Sequence, residues 1–190
     1  MTNISFTPGG WEKAGLTYAY SWRFAALPVF RQEADCIASG RSADDPTDFD
    51  YMGLLARETC APGAKIAVHC SFEALGAPML LLSLADEIDE GGVLRTLEYY
   101  EIVIWRNGLN VWRHHTEGRR TSHYLVLGAA FSLAEGEKHA LSAEVRSDRL
   151  LMDVDGRSFN LFTGDLPGGF RLGWTACEGI CRLYDMTITP

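Results

Sequence analysis

The chain has 190 residues, 47% of them hydrophobic, and a formal net charge of −8. This length and apolar content suit one buried core, so we expect a single domain over residues 1–190. The negative charge argues against nucleic acid as a partner, because phosphate binding depends on Lys and Arg. The sequence shows neither a leader peptide nor an apolar segment that could span a bilayer, which predicts a cytoplasmic protein without a membrane partner.

The five cysteines are odd in number and show no CxxC spacing. This pattern argues against a disulfide framework and against a structural zinc site. We therefore expect reduced, mostly buried thiols at Cys36, Cys60, Cys70, Cys177 and Cys181.

In the first third of the chain, residues 16–24 and 51–57 have the composition of β-strands. Residues 38–50 lie between them and are polar, with no periodic pattern. We expect this stretch to be a surface loop that borders the binding face.

The next segments alternate with period two, as strands do. Residues 64–73 place apolar side chains, Val68 among them, on one face and polar ones, His69 among them, on the other. Residues 78–85 form a continuous apolar run of strand length, which predicts a central strand.

Residues 98–115 predict a β-hairpin, because Asn107-Gly108 is a strong signal for a two-residue turn. This turn would place Glu101 opposite His114. Alternation then separates the two faces of the hairpin. One face is apolar and should be core, with Ile102, Ile104, Leu109 and Val111. The other face carries Glu101, Val103, Trp105, Asn110, Trp112 and His114.

The last third predicts further antiparallel strands. Residues 139–146 and 149–155 meet across Ser147-Asp148, and a second turn at Asp155-Gly156 returns the chain through residues 158–162. Both registers give one apolar face, which contains Leu141, Met152 and Phe159. Residues 169–175 and 182–189 are predicted to be the final strands. Many short strands between turn signals indicate an all-β fold, a two-sheet antiparallel β-sandwich of the jelly-roll type.

The polar and aromatic face of the hairpin is the candidate site. Two indoles beside an amide, a carboxylate and an imidazole suit a sugar, whose apolar ring face stacks on Trp while its hydroxyls bind polar groups. We predict that this face binds substrate through Trp105, Asn110, Trp112, His69, Arg106 and Tyr124. The alternative is that a loop or strand covers this face and that Trp105 and Trp112 only pack.

Two residues of this face could carry chemistry. Glu101 beside His114 would orient the imidazole and raise its basicity, so that His114 could move a proton in the β-elimination of a uronic acid. Arg106 would form an ion pair with the substrate carboxylate, and Tyr124 or His69 could act as the general acid. The alternative is a structural hydrogen bond between Glu101 and His114 at the rim of a sheet.

The carboxy-terminal half resembles the concanavalin-A-like lectin/glucanase superfamily, over residues 64–189. The resemblance lies in a strand that opens on His139, the Val154-Asp155-Gly156 turn, Pro167-Gly168-Gly169, the Gly-rich strand at Leu172-Gly173-Trp174 and the final strand from Tyr184 to Ile188. The chain looks most similar to small single-domain bacterial members associated with polysaccharide degradation. The resemblance implies a concave sheet that holds a glycan, on a fold shared by lectins, glycosidases, lyases and binding modules.

A catalytic motif of retaining glucanases is absent from the sequence. Those enzymes carry Glu-x-Asp-x-x-Glu or Glu-x-Asp-x-Glu on one strand, so that the carboxylates project together. Here Glu87 and Asp89 could share a face, but Glu90 would point the other way, and the acidic run with its glycines is typical of a solvated loop. We therefore do not expect a glucanase of this type.

No cofactor is expected, and no metal site. His114 and His115 are adjacent in a strand and would point in opposite directions, so they are poorly placed to bind one ion. Structural calcium at Asp148, Asp153 and Asp155 is a weaker alternative, because turn chemistry already explains these residues.

Two functions remain open. The first is an enzyme that cleaves oligosaccharides by lyase-like β-elimination or by hydrolysis on the concave sheet. The second is a non-catalytic carbohydrate-binding module or accessory subunit that uses the same face. In both, the partner is an oligosaccharide or a polysaccharide fragment.

Overall fold

A computed structural model of the chain describes residues 1–12, 14–23, 29–39, 51–176 and 178–190. These residues form fifteen β-strands, in the order β1 (Thr2–Ser5), β2 (Leu16–Ser21), β3 (Arg31–Gln32), β4 (Ile37–Ala38), β5 (Met52–Ala56), β6 (Lys65–Glu73), β7 (Pro78–Ile88), β8 (Leu94–Trp105), β9 (Gly108–Glu117), β10 (Arg120–Ala130), β11 (His139–Val145), β12 (Arg149–Val154), β13 (Arg157–Phe162), β14 (Arg171–Ala176) and β15 (Ile180–Thr189). Across these ranges, no helix is long and apolar enough to cross a membrane.

The strands form two sheets. The back sheet has the order β13-β12-β11-β6-β15-β4-β3, with β1 paired to β15, and the front sheet has the order β10-β9-β8-β2-β5-β14-β7, with an additional pairing of β7 to β8. Neighbouring strands are antiparallel except for a two-residue parallel contact between β2 and β8. The predicted antiparallel β-sandwich is confirmed.

The hairpins of the back sheet have the predicted register. Val145 pairs with Leu150 across the first turn, and Met152 pairs with Phe159 across the second. Asp155 and Gly156 both have positive φ, as a type I′ turn requires. Local turn chemistry therefore sets the pairing of β11, β12 and β13.

The main core lies between the two sheets. Seven of the eight residues predicted to be inside are buried there: Val68, Ile102, Ile104, Leu109, Val111, Leu141 and Met152. Phe159 is only half-buried, because it lies near the edge of the sandwich and stacks on Phe131. The other face of the front sheet is free of the back sheet, and the polar residues of the hairpin lie on it.

A second, smaller core occupies part of that outer face. It consists of Ala19, Leu55, Leu81, Leu94 and Tyr99. The end of β2 leaves β5 and pairs with the beginning of β8, which curls the sheet over these side chains. The Tyr99 hydroxyl donates to Ser21 Oγ over 2.8 Å and joins the two strands. The outer face is thereby filled along the first half of β8, and space remains along its second half.

Two predicted loops are partly strand. Ala38, the first residue of the predicted 38–50 loop, is buried in β4 and paired with Arg182, while residues 40–50 lie outside the described residues. The acidic run that begins at Glu87 was predicted to be a solvated loop, but β7 continues to Ile88. The tight turn after it is held by Asp89, which accepts from the backbone of Val93 and from Arg95.

Four cysteines, Cys36, Cys60, Cys70 and Cys181, are buried and free, as predicted. Burial raises the pKa of the Cys36 thiol to about 12, so this thiol stays protonated at neutral pH. Cys177 lies outside the described residues.

Candidate functional site

A cavity of about 390 Å³ opens on the outer face of the front sheet, beside the small core. Strands β7 to β10 form its floor and wall, and segments that connect strands form its rim. The described residues that line it are Arg23, Leu75, Gly76, Ala77, Met79, Glu101, Val103, Trp105, Arg106, Asn110, Trp112, His114, His123, Glu135 and Glu178. We call this space the front cavity.

The β8–β9 hairpin that forms the floor differs by two residues from the predicted register. Arg106 and Asn107 are the central turn residues, and Gly108 pairs with Trp105. The carbonyls of Arg106 and Asn107 accept hydrogen bonds from the chain that follows β10. In addition, a Cβ at Gly108 would lie 1.9 Å from the Ala129 carbonyl oxygen, so only glycine fits this strand position.

A shift of two residues preserves which side chains share a face. Trp105, Asn110 and Trp112 therefore lie together in the front cavity, on the shared face that the alternation of residues predicted. All three are half-buried, so part of each side chain is available to a ligand. The packing alternative would require a loop or strand that covers the indoles, and no described loop or strand does so.

Glu101 and His114 were predicted to be directly opposite, and this is wrong. Glu101 pairs with Trp112, and His114 pairs with Tyr99. The two side chains still meet diagonally on the same face, with His114 Nε2 2.8 Å from Glu101 Oε2. Their exposed fractions are 1% for His114 and 5% for Glu101, so the pair is buried.

The contact between Glu101 and His114 is close but is not an aligned hydrogen bond. Among the described residues, neither ring nitrogen of His114 has a hydrogen-bond partner of good geometry, and neither does Glu101 Oε1. The imidazole is instead held by stacking, parallel to the Tyr99 ring at 4.4 Å between centroids. Buried polar atoms without partners are costly and are often found at functional sites.

His123, which sequence reasoning did not place in the site, extends this stack. It lies opposite His114 on β10, with ring centroids 5.5 Å apart, and meets the edge of Trp112. Partial burial lowers the pKa of His123, electrostatic interactions with Arg23 and with the neighbouring His114 ring lower it further, and Glu101 acts in the opposite direction. The alternation of β10 could have identified this residue, once the β9–β10 pairing was known.

The rim includes a strained loop between β6 and β7. Ala74 and Leu75 both have positive φ, which is rare for residues other than glycine. A Cβ at Gly76 would lie 2.5 Å from the Ile180 carbonyl oxygen, so close backbone packing holds this loop in place. The half-exposed Leu75 side chain is thereby fixed at the mouth of the front cavity.

A further acidic group, Glu178, also lies on the rim, in the loop that packs against Ala74 and Gly76. Burial raises the pKa of its carboxyl, and the charge of Arg23 acts against that rise. Sequence reasoning did not identify Glu178, Arg23 or Glu135 as site residues, because all three come from loops distant in the chain.

Two residues predicted to bind substrate lie elsewhere. His69 is on β6 of the back sheet, where alternation turns it outward to pair with Asp185 at 2.8 Å. Tyr124 is on β10 but pairs with Arg113, so it faces away from His123 and from the cavity. Both lie outside the described lining of the front cavity. Arg106 does line it, from the hairpin turn.

No group of three or more metal-binding side chains occurs among the described residues. The aspartates considered for calcium are bound to protein groups. Asp148 pairs with Arg149, Asp153 accepts from the Gly156 backbone, and Asp155 accepts from His139 and from the Ala140 backbone.

No family model matches this chain, and no curated protein sequence matches it. Solved structures do resemble its fold. The carbohydrate-binding module CBM66 from Bacillus subtilis aligns with a TM-score of 0.67 and 12% identity, over 93% of this chain and 96% of that one. A glycoside hydrolase family 16 endo-glucanase from Bacteroides ovatus aligns with a TM-score of 0.60 and 9% identity, over 98% and 99%.

The carbohydrate recognition domain of Emp46p is a third similar structure, with a TM-score of 0.65 and 12% identity over 95% of this chain and 91% of that one. At these identities the comparisons concern the fold. The resemblance to concanavalin-A-like jelly rolls is confirmed at that level, across nearly the whole chain.

Proposed function

We propose that the protein binds a short carbohydrate in the front cavity. The observation that carries this proposal is the placement of Trp105 and Trp112, two half-buried indoles on one face, with Asn110 beside them. A volume of about 390 Å³ is at the small end of ligand pockets, which suits one or two sugar rings rather than a long chain.

The chemistry of the wall matches that of a sugar. Indole rings stack on the apolar face of a pyranose, and the Asn110 amide offers both a donor and an acceptor to hydroxyls. Three proteins of similar fold are named as a carbohydrate-binding module, a carbohydrate recognition domain and an endo-glucanase, and these names support a saccharide as the ligand.

The catalytic role predicted for His114 has less support than binding does. Both of its ring nitrogens are buried, so neither can reach a substrate in the cavity without a rearrangement. The same burial suits a supporting role, in which Glu101 and His114 hold the floor on which Trp112 lies.

Cleavage of the bound sugar is the second candidate function, and His123 is the observation in its favour. This imidazole is exposed in the front cavity, and its lowered pKa keeps it neutral at pH 7, as a general base must be. The raised pKa of Glu178, which also lines the front cavity, would suit a proton donor.

Binding can be tested by calorimetric titration of the full chain with a panel of mono- to tetrasaccharides. Trp112→Ala should weaken the binding of any sugar that the parent protein binds, whereas Trp11→Ala should not, because Trp11 lies outside the cavity and donates to Gln32. Equal binding by the parent and by Trp112→Ala would contradict the proposal.

The same panel distinguishes cleavage from binding. Incubation with each bound sugar should be followed by absorbance of unsaturated products, for elimination, and by reducing ends, for hydrolysis. Turnover that is lost in His123→Gln while affinity persists would establish an enzyme. Binding without any product would establish a binding module.

A further inference from the structure

We propose that the saccharide in the front cavity carries a small apolar substituent, which packs against a set of apolar side chains on the β7 side of the cavity. This set consists of Leu75, Ala77, Met79 and Val103, and we call it the apolar side of the front cavity. The inference rests on the proposed function and adds the chemical class of the ligand.

One row of paired residues crosses the floor of the cavity and changes in polarity along its length. Met79 on β7 pairs with Val103 on β8, and Val103 pairs with Asn110 on β9. Directly paired residues share a face of the sheet. The row therefore begins with two apolar side chains and reaches a hydrogen-bonding side chain only at β9. A ligand that covers this row meets an apolar surface at one end and an amide at the other.

The apolar part of this row is not explained by core packing. Among the described residues, Met79 and Val103 are buried but belong neither to the main core nor to the small core. Both side chains line the front cavity instead. Ligand pockets are typically lined by apolar side chains with a few polar groups that fix orientation. The apolar side therefore suits an apolar part of the ligand, and Asn110 suits a polar part.

Leu75 extends the apolar side to the mouth of the cavity. Its φ is 68°, and its exposed fraction is 52%. Glycine or asparagine adopts positive φ at less cost, so a leucine here adds both backbone strain and exposed apolar area. The loop is held in this form by close packing, because a Cβ at Gly179 would collide with the backbone of Ala74 and Gly76. An apolar group of a bound ligand would remove part of the Leu75 side chain from water.

An unsubstituted sugar fits the apolar side poorly. A hydroxyl turned toward Leu75, Met79 or Val103 would lose water and find no hydrogen-bond partner on these side chains. The carboxyl groups of Glu135 and Glu178 line the cavity from rim loops, so they remain available to hydroxyls elsewhere on the sugar. An alkyl group on the inward oxygen removes its donor and buries carbon atoms. Complete burial of one methylene tightens binding about fourfold, so we expect about threefold for each carbon atom in this open cavity.

The test is calorimetric titration of the full chain with matched sugars. Each monosaccharide and disaccharide of the binding panel is offered unsubstituted and with a methyl, ethyl or butyl group on one oxygen at a time, the anomeric oxygen included. Binding that tightens with alkyl length at one position, with a heat-capacity change that becomes more negative, supports the inference. Alkyl groups that weaken binding or leave it unchanged at every position overturn it, while binding of the unsubstituted sugars leaves the proposed function intact. No binding by any member contradicts the proposed function itself.

Two variants locate the effect, each measured as the ratio of the affinities for the butyl and the unsubstituted sugar. Leu75→Asn should fold, because Asn tolerates positive φ better than Leu, and should lower this ratio at least threefold. Val103→Thr changes the floor at nearly constant volume and should also lower it. The control Ile88→Asn, at an exposed position at the far end of β7 and outside the cavity, should keep the ratio of the parent. Thermal unfolding identifies the folded variants. A ratio that stays unchanged in every folded variant of Leu75 and Val103 overturns the inference.

Discussion

His114 and Glu101 lie two residues out of register across the β8–β9 hairpin, yet their side chains approach to 2.8 Å. The contact is diagonal, because Glu101 lies opposite Trp112 and His114 lies opposite Tyr99. Diagonal neighbours on one face remain within reach of long side chains. The pair therefore depends on the face that the two residues share and not on direct opposition.

We expect the contributions of Glu101 and His114 to the free energy of unfolding to be coupled rather than independent. Replacing either residue alone by Leu leaves the other buried without its partner and should cost about 3–5 kcal/mol. The double variant should cost clearly less than the sum of the two, because no charge is then left unpaired. Denaturant unfolding of the four proteins in the cycle measures this coupling. Strictly additive costs would show that the contact contributes nothing.

Trp112→Ala should weaken carbohydrate binding at little cost in stability. The indole is half-buried in the front cavity, so we expect a loss of about 1 kcal/mol, well below the ~3–5 kcal/mol typical of a buried Trp. The fully buried Trp174 provides the comparison, since Trp174→Ala should show that larger loss. A loss at Trp112 as large as the one at Trp174 would instead indicate that Trp112 is a packing residue.

His123 should make the protein less stable as the pH falls. Its pKa in the folded protein lies below the ordinary value of 6.5, so between these two values the unfolded chain binds more protons. Stability should therefore rise as the pH rises through this window and should be reduced below it. In His123→Gln this part of the pH dependence should disappear, as followed by thermal unfolding from pH 4 to 8. An unchanged pH profile in the variant would rule out His123 as its source.

Gly108→Ala should disrupt the hairpin. The new Cβ would lie 1.9 Å from the Ala129 carbonyl oxygen, and Gly108 has a φ of 140°, which an L-residue rarely adopts. We expect a loss of more than ~1 kcal/mol in the free energy of unfolding, together with weaker binding, since β9 carries Asn110 and Trp112. Gly168→Ala is the control, because open space surrounds that position and its φ is not positive. Equal stability of the two variants would contradict this account.

The sequence by itself determined which residues share a face. Period-two alternation and local turn chemistry placed Ile102 and Ile104 in the core and Trp105, Asn110 and Trp112 on the opposite face. These are short-range properties, and the faces survive an error of two residues in register, since two is the period of a strand. The registers of β11, β12 and β13 were also correct, because the turns at Ser147-Asp148 and Asp155-Gly156 lie where the local turn signals placed them.

Only the tertiary structure decided which other residues surround the polar and aromatic face of the hairpin. His69 alternates as predicted, but its strand belongs to the back sheet, and no local pattern says which sheet a strand joins. The hairpin register was set by the chain after β10, whose backbone binds the turn carbonyls and approaches Gly108. His123 lies beside His114 through the β9–β10 hairpin, whereas Glu178 reaches the front cavity through the pairings of β14 and β15 with strands distant in the chain. Such contacts depend on the packing of the whole sandwich, which is why periodicity along the sequence did not reveal them.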